Sequence, residues 1–229
     1  MSQDSESLPG SVDESPSPIV PVSKPRPRPD LHPYWVERDQ LPGPVTWSKV
    51  FHNENPVEVE IGSGKGLFLI NAATANPARN YFGIELARKF ALKGAEKIAK
   101  RELANVRMLS ADALLFMARQ VPTASLHAVH VYFPDPWWKK RHKKRRVFGE
   151  PLVNDIERTL IPGGDLWIAT DVEEYFGVMR SLMATRPLFE EVPMEEPKAP
   201  EHDHDYLTNF ERKYRIEGRP IYRTHYQRT

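Results

Sequence analysis

Residues 57–75 read VEVEIGSGKGLFLINAATA, and this stretch decides the fold class. The segment Val57–Ile61 predicts a β-strand, and Leu67–Ala75 predicts an α-helix. The five residues between them, Gly62–Gly66, include three glycines, which let the backbone turn and approach a ligand closely. A strand, a glycine-rich turn and a helix in this order predict the first part of a βαβ unit.

The alternation of strands and helices continues along the chain. Further strands are predicted at Tyr81–Glu85, Asn105–Ser110, Ala128–Phe133, Asp165–Thr170 and Phe189–Val192. Helices are predicted at Ala87–Leu103, Val147–Thr159 and Val172–Thr185, and a final antiparallel edge strand at Arg215–Tyr222. We therefore predict an α/β fold with a Rossmann-like, doubly wound and mostly parallel sheet.

Composition limits what kind of protein this is. The chain has 229 residues, a formal net charge of +1 and no cysteine, which excludes disulfides and thiolate chemistry. Residues 1–30 hold seven of the 22 prolines and few apolar side chains, which predicts a disordered tail. Residues 31–229 are predicted to form a single domain. Because no secretory signal and no apolar run of membrane-spanning length is present, we expect a cytoplasmic location.

The spacing of the glycines distinguishes between classes of ligand. A dinucleotide-binding fingerprint would need glycine in place of Leu67, and a Walker A loop would need glycine in place of Val59. What remains is an acidic residue, Glu60, two positions before the first of three alternating glycines. A carboxylate repels phosphate, so the pattern favours a ligand with cationic or hydrogen-donating groups, such as the amino group of S-adenosylmethionine.

Acidic residues also follow the next three strands. Glu85 ends the second strand, where nucleotide sites place the acid that binds ribose hydroxyls. Asp112 follows the third strand and could accept a hydrogen bond from an adenine amino group, or alternatively could cap the next helix. Asp135 follows the fourth strand between Pro134 and Pro136, which restrict the backbone on both sides. Ligands of open α/β sheets bind at these carboxyl ends of the strands.

A basic stretch follows Asp135 almost directly. Seven of the eight residues from Lys139 to Arg146 are lysine or arginine, and Trp137 and Trp138 precede them. Cations and flat aromatic rings beside a carboxylate suit a nucleic-acid base and its phosphates. The alternative is a charged surface loop with its tryptophans in the core. Contacts to a nucleic-acid backbone are predicted for Lys140, Arg141, Lys143, Lys144, Arg145 and Arg146.

Together, these motifs resemble the class I S-adenosylmethionine-dependent methyltransferases, and among them the tRNA (guanine-N7)-methyltransferase family. The resemblance covers roughly residues 56–223. Its most specific parts are the proline-flanked aspartate with its basic continuation and a terminal Thr-x-Phe-Glu motif. One departure is Asn209, where a lysine is usual. The match rests on Glu60–Gly66, Gly83–Glu85, Phe133–Trp137, Thr170–Asp171 and Thr208–Glu211, in that order.

The resemblance implies transfer of a methyl group from S-adenosylmethionine to N7 of a guanine in tRNA, guanine 46 of the variable loop. It implies that Asp135 is the catalytic residue. It implies a cofactor pocket lined by Glu60, Gly62, Gly64, Gly66, Glu85, Asp112 and Asp135. It implies substrate contacts by Lys139, Asp171, Thr208, Asn209, Phe210 and Glu211. We predict tRNA as the partner, with no metal, no membrane and no obligatory protein partner.

Two other functions stay open at this stage. A methyltransferase of the same fold could act on another RNA, a protein or a small molecule; a protein or small-molecule substrate leaves the basic stretch unexplained. A non-catalytic RNA-binding module leaves the acids at four strand ends unexplained. Separately, His202 and His204 alternate with Asp203 and Asp205, which could hold a metal, although such an alternation on a loop is more often simply solvated.

Overall fold

The structure, a computed structural model, describes residues 29–41, 43–194 and 208–229. The strands are β1 Trp35–Val36, β2 Val57–Ile61, β3 Asn80–Glu85, β4 Val106–Ser110, β5 Leu126–Tyr132, β6 Leu160–Thr170, β7 Phe189–Val192 and β8 Tyr222–Arg228. The α-helices are α1 Trp47–Phe51, α2 Leu67–Ala75, α3 Arg88–Ala99, α4 Ala113–Gln120, α5 Glu150–Thr159, α6 Glu173–Met183 and α7 Asn209–Ile216. Residues 1–28 of the predicted tail and the His202–Asp205 alternation lie outside the described residues.

The described strands form one sheet with the order β1-β4-β3-β2-β5-β6-β8-β7. Strands β1 to β6 pair in parallel, and β8 pairs antiparallel with both β6 and β7. Helices α2 and α3 pack on one face, and α4, α5 and α6 pack on the other. The predicted doubly wound, mostly parallel sheet is therefore confirmed. Its strand order reverses between β2 and β5, which opens a crevice at their carboxyl ends.

The central strand β2 explains how acidic side chains come to lie inside the protein. All five of its residues are buried, and Val57, Val59 and Ile61 belong to the core beneath α4 to α6. Because successive side chains of a strand point to opposite faces, Glu58 and Glu60 project to the other face. Glu58 is neutralised there by Arg79, whereas Glu60 lies closer to the crevice.

The C-terminal part differs from the prediction. The strand predicted at Arg215–Tyr222 is wrong, because most of this range belongs to helix α7 and the linker that follows it. Thr208 starts the helix by accepting a hydrogen bond from the backbone N–H of Glu211 (3.0 Å), a Thr-x-x-Glu pattern typical of helix starts. Strand β8 is antiparallel, as predicted, but it lies one position inside the edge, which β7 occupies.

Smaller differences concern short elements and element ends. Helix α3 ends at Ala99 and not at Leu103, and β5 begins two residues before Ala128. The sequence did not predict β1, α1 or α4, because segments of two to eight residues are too short to show a clear hydrophobic periodicity. No helix in the described ranges has the length and apolar character needed to cross a membrane.

Gly83 of β3 provides a test of how closely α2 packs on the sheet. A Cβ atom at this position would lie 2.4 Å from Leu69 Cδ1 and 2.8 Å from both Met108 Sδ and Ser63 Oγ, all in buried side chains. We expect Gly83→Ala to lower the free energy of unfolding by about 1–3 kcal/mol, the usual cost of overpacking. Urea denaturation measures this change.

Gly177→Ala is the matched control for this prediction. Gly177 lies in α6, and an added Cβ there would meet nothing within 4 Å. Alanine should stabilise the helix by about 0.5–1 kcal/mol, because it loses less backbone entropy than glycine. Equal unfolding free energies for both variants would contradict the close packing described for Gly83.

Candidate active site

The glycine turn lies at the crevice and has the backbone conformation that only glycine adopts easily. Gly62, Gly64 and Gly66 have φ angles of 77°, 53° and 68°, all in the left-handed region. The backbone N–H groups of Gly62 and Ser63 donate to Ile84 O at 2.8 and 3.1 Å, which ties the turn to the end of β3. A Cβ at Gly62 or Gly64 would meet no protein atom within 4 Å, so open space faces the turn.

Glu60 is a buried carboxylate without a compensating cation. Its side chain is 3% exposed, and its Oε2 atom has no hydrogen-bond partner among the described residues. Burial is the main cause that raises the pKa of Glu60 to about 8, and the neighbouring negative charge of Glu85 contributes to this rise. A buried polar atom of this kind normally has a partner, so the position suits a ligand that brings a positive charge or an N–H donor.

Glu85 and Asp112 complete the acidic side of the crevice. Glu85 accepts hydrogen bonds from the backbone N–H groups of Gly64 (2.9 Å) and Ala87 (2.8 Å), so its carboxylate is fixed against the glycine turn. Asp112 caps α4 by accepting from Leu115 N at 3.2 Å, which confirms the capping alternative and leaves its carboxylate exposed to solvent.

Lys65, the cation within the turn, does not neutralise these acids. Its ammonium group lies over the ring of Phe90 in α3, 5.5 Å from the ring centroid. Glu85 and Asp112 therefore keep a negative potential at the crevice, which disfavours a phosphate and favours a cationic ligand.

Asp135 stands on a short loop after β5, at the other side of the crevice. Phe133 leaves the strand with φ at 49°, and its N–H donates to Ala169 O at 2.7 Å. Trp137 also has a positive φ, 43°, so the two prolines and Asp135 lie between two left-handed residues. Asp135 itself is exposed to solvent in the middle of this loop.

The basic stretch continues this loop as a 3-10 helix, Lys140–Arg145. Lys139, Arg141, Lys144 and Arg145 are exposed, as a phosphate-binding surface requires, whereas the side chains of Lys140 and Lys143 lie outside the described part of the structure. Arg146 differs: its side chain is 8% exposed. The structure therefore presents a surface of cations with one buried arginine at its end.

The two tryptophans of the loop do not lie in the hydrophobic core. Trp138 is 62% exposed. Trp137 is half-buried, with the guanidinium of Arg145 5.2 Å from its ring centroid and the ring of His142 at 5.8 Å. The alternative that both tryptophans are core residues is therefore wrong.

The substrate contacts predicted for the C-terminal part lie at Asp171 and at the start of helix α7. Together with the rest of α7 they form a wall beside this loop. Thr208 is buried as the cap of α7, and the Tyr214 ring of that helix lies 5.5 Å from the Phe133 ring. Asp171 forms an ion pair with Arg219, whose guanidinium also covers Tyr214 at 4.2 Å. The side chains of Asn209 and Phe210 are outside the described residues.

Glu211 belongs to the same wall but is already paired. It is 2% exposed and binds Arg215 at 2.9 Å and also Arg223 of β8. Its carboxylate therefore joins α7 to β8.

Sequence reasoning missed several residues that shape the site. His130 connects Glu58 Oε2 and the Tyr132 hydroxyl, each at 2.9 Å. Tyr132 is buried, and this burial is the main reason why its pKa lies well above the ordinary value. The negative charges of Glu60, Glu58 and Glu211 raise the pKa in the same direction. The spacing of two residues between His130 and Tyr132, which puts both on one face of a strand, was the available signal.

Within the described residues, no group of three or more histidine, aspartate or glutamate side chains could hold a metal ion.

Comparison with known proteins identifies similar sequences and folds. The model of a family described as "Putative methyltransferase" matches residues 54–224. A tRNA (guanine-N(7)-)-methyltransferase of Rhodopirellula baltica is 42% identical over 92% of this chain and 80% of its own length. One of Geobacter metallireducens is 34% identical over 86% of this chain and 93% of its own.

Solved structures support the fold alone. The 16S rRNA methyltransferase KamB aligns with a TM-score of 0.54 at 15% identity, over 80% of this chain and 92% of its own. The aminoglycoside resistance methyltransferase NpmB1 aligns with a TM-score of 0.51 at 16% identity, with the same coverage.

The raised pKa of Glu60 predicts a pH-dependent stability. Between the ordinary value of 4.5 and about 8, the folded protein keeps a proton that the unfolded chain has released, so stability falls as pH rises through this range. Glu60→Gln should remove this contribution, so the free energy of unfolding should change less with pH. Urea denaturation at pH 5.5 and 8 measures the difference in slope.

Glu54→Gln, which changes an exposed glutamate just before β2, is the matched control and should keep the slope of the parent protein. If Glu60→Gln lost stability with pH as steeply as the parent, Glu60 would be ionised and compensated in the free protein.

Proposed function

Because the chain belongs to the tRNA (guanine-N7)-methyltransferase family, we propose that it transfers a methyl group from S-adenosylmethionine to N7 of a guanine in tRNA. The finer part of the proposal is guanine 46 of the variable loop. The observation that carries the proposal is that an uncompensated buried carboxylate and Asp135 flank one crevice, next to exposed cations.

The acidic side of the crevice would hold the cofactor. Glu60, with its unpartnered Oε2, would accept from the ammonium group, and the open space before Gly62 and Gly64 would admit the methionine part. Glu85 would accept from the ribose hydroxyls, and Asp112 from the adenine amino group. S-adenosylmethionine, when bound, supplies an electrophilic methyl group on a sulfonium sulfur.

Asp135 would orient and stabilise the guanine. N7 carries an in-plane lone pair and no proton, so its attack on a methyl group needs no general base. Positive charge develops on the purine during transfer, and a fixed carboxylate that accepts from guanine N–H groups would both align the base and stabilise that charge. Asp135 is exposed on a restricted loop, which suits this role.

The exposed cations would bind tRNA phosphates, and the wall around α7 would border the guanine. Lys139, Arg141, Lys144 and Arg145 are available to phosphates without breaking an ion pair described for them. Asp171 and the start of α7, residues 208–211, would border the substrate, with Glu211 held in place by Arg215 and Arg223. Such phosphate contacts make binding strongly salt-dependent.

The domain boundaries and the location also remain proposals. A single domain over residues 31–229 is supported by β1 and β8, which belong to the same sheet although they lie near opposite ends of this range. The cytoplasmic location expected from the sequence stays a prediction.

Purified protein with S-adenosylmethionine should form 7-methylguanosine in unmodified tRNA transcripts. Cleavage at the methylated base should map the product to guanine 46, and a transcript with adenine at that position should not be methylated. Ribosomal RNA and total protein serve as competing acceptors. Methylation of those acceptors alone would replace the proposed substrate; methylation of tRNA at another guanine would overturn only the position.

Asp135→Asn should lower kcat by about 100- to 1000-fold at saturating tRNA and cofactor, because it removes one oriented charge without changing the shape of the side chain. The comparison is the double variant Arg141→Gln/Lys144→Gln. It should weaken tRNA binding and reduce the salt slope by about one to two, with kcat retained at saturating tRNA. If Asp135→Asn changed only tRNA binding and the double variant changed only kcat, the roles given to the aspartate and the cations would be contradicted.

A further inference from the structure

Arg146 closes the basic stretch, but its environment is unlike that of the exposed cations before it. Its guanidinium is buried, and its Nε donates to the backbone oxygen of Pro136 at 2.7 Å. Its Nη2 lies 3.7 Å from Glu174 Oε1. Nη2 has no hydrogen-bond partner among the described residues, but it is buried, so a phosphate could reach it only if the loop moved.

The contact with Pro136 closes the loop that carries Asp135. Pro136 follows Asp135 directly and is ten residues before Arg146, so one hydrogen bond joins the two ends of the segment 136–146. The flanking residues Phe133 and Trp137 both have left-handed backbone angles. Such conformations cost energy in residues other than glycine and persist only where surrounding contacts hold them.

Helix α6 provides the support on which Arg146 rests. The guanidinium lies over the ring of Tyr175, 4.4 Å from its centroid. Tyr175 is fully buried, and its hydroxyl accepts from the backbone N–H of Phe148 at 3.2 Å. Burial is the main cause that raises the pKa of Tyr175 to about 12; the hydrogen bond with the Phe148 backbone and the charge of Arg146 act against this rise.

We propose that Arg146 is a positioning residue, which holds the Pro136 backbone against Tyr175 and thereby fixes the direction of the Asp135 carboxylate, and that it is not a phosphate contact. This proposal rests on the proposed function, because it concerns the direction of the Asp135 carboxylate, which is proposed to contact the guanine. A planar guanidinium is suited to the role, since it can donate in its plane to a carbonyl while its face covers an aromatic ring.

The test compares Arg146→Gln with Arg141→Gln, which removes the same charge from an exposed position of the same stretch. For Arg146→Gln we expect kcat to fall about 10- to 100-fold at saturating substrates, since small displacements of a catalytic group have effects of this size. The cofactor Kd, the tRNA Kd and its salt slope should change little. Arg141→Gln should weaken tRNA binding and lower the salt slope by about one.

Arg146→Lys separates positioning from charge and protects the test against a variant that does not fold. Lysine keeps the charge and binds phosphate well, but it cannot cover the Tyr175 ring as a plane. We expect kcat to fall at least fivefold with the tRNA salt slope unchanged. Full kcat for this variant, or a salt slope lowered in Arg146→Gln as in Arg141→Gln, would overturn the proposal.

A double variant tests whether the effect passes through Asp135. In an Asp135→Asn background, Arg146→Gln should lower kcat less than threefold, because the group that it aims has already lost its charge. If Arg146→Gln lowered kcat as much in this background as in the parent protein, Arg146 would have a general structural role and the proposal would be overturned. Parent protein that methylates no tRNA would instead refute the proposed function, so the two failures are distinguishable.

Discussion

The site depends on one electrostatic constraint, the burial of Glu60 beside Glu85. Neither carboxylate can move away: Glu60 lies in the central strand, and Glu85 is held by two backbone N–H groups. Burial and repulsion therefore act on Glu60 together, and they raise its pKa to about 8. A cationic ligand would relieve both effects at once, so the unfavourable arrangement of the free protein becomes a preference for positive charge at the crevice.

Other buried acids of the structure show what an ordinary structural carboxylate looks like. Glu58 pairs with Arg79, and Glu211 pairs with Arg223, so each charge is compensated inside the protein. Glu60 lies two residues from Glu58 on the same face of the same strand and lacks such a cation. The difference between them cannot come from residue type or from the face of the sheet, which both share. It comes from the crevice, where a ligand and not an arginine would complete the pairing.

Local patterns predicted most of the fold and the acidic half of the site. The glycine turn and the acids around it follow from contiguous residues at strand ends, and the strand order then places them at one crevice. The C-terminal helix was not predicted, although Thr208 and Glu211 form a local signal for a helix start. The reason is that both residues were interpreted as substrate contacts and not as residues that cap a helix. Contacts between distant segments, such as Phe133 with Tyr214, could not be predicted, since no local pattern encodes them.

The basic stretch shows why a run of like residues does not have one role. Attraction of a polyanion acts over about 10 Å in ordinary salt and needs only exposed charge, so composition is enough to predict it. Aiming a carboxylate needs contacts fixed to fractions of an ångström, which only tertiary packing can provide. Arg145 and Arg146 are adjacent and chemically identical, yet one is exposed and the other is buried between Pro136 and Tyr175. Because the loop closes on itself at Arg146, the same segment can present charge outward and hold Asp135 rigid from within.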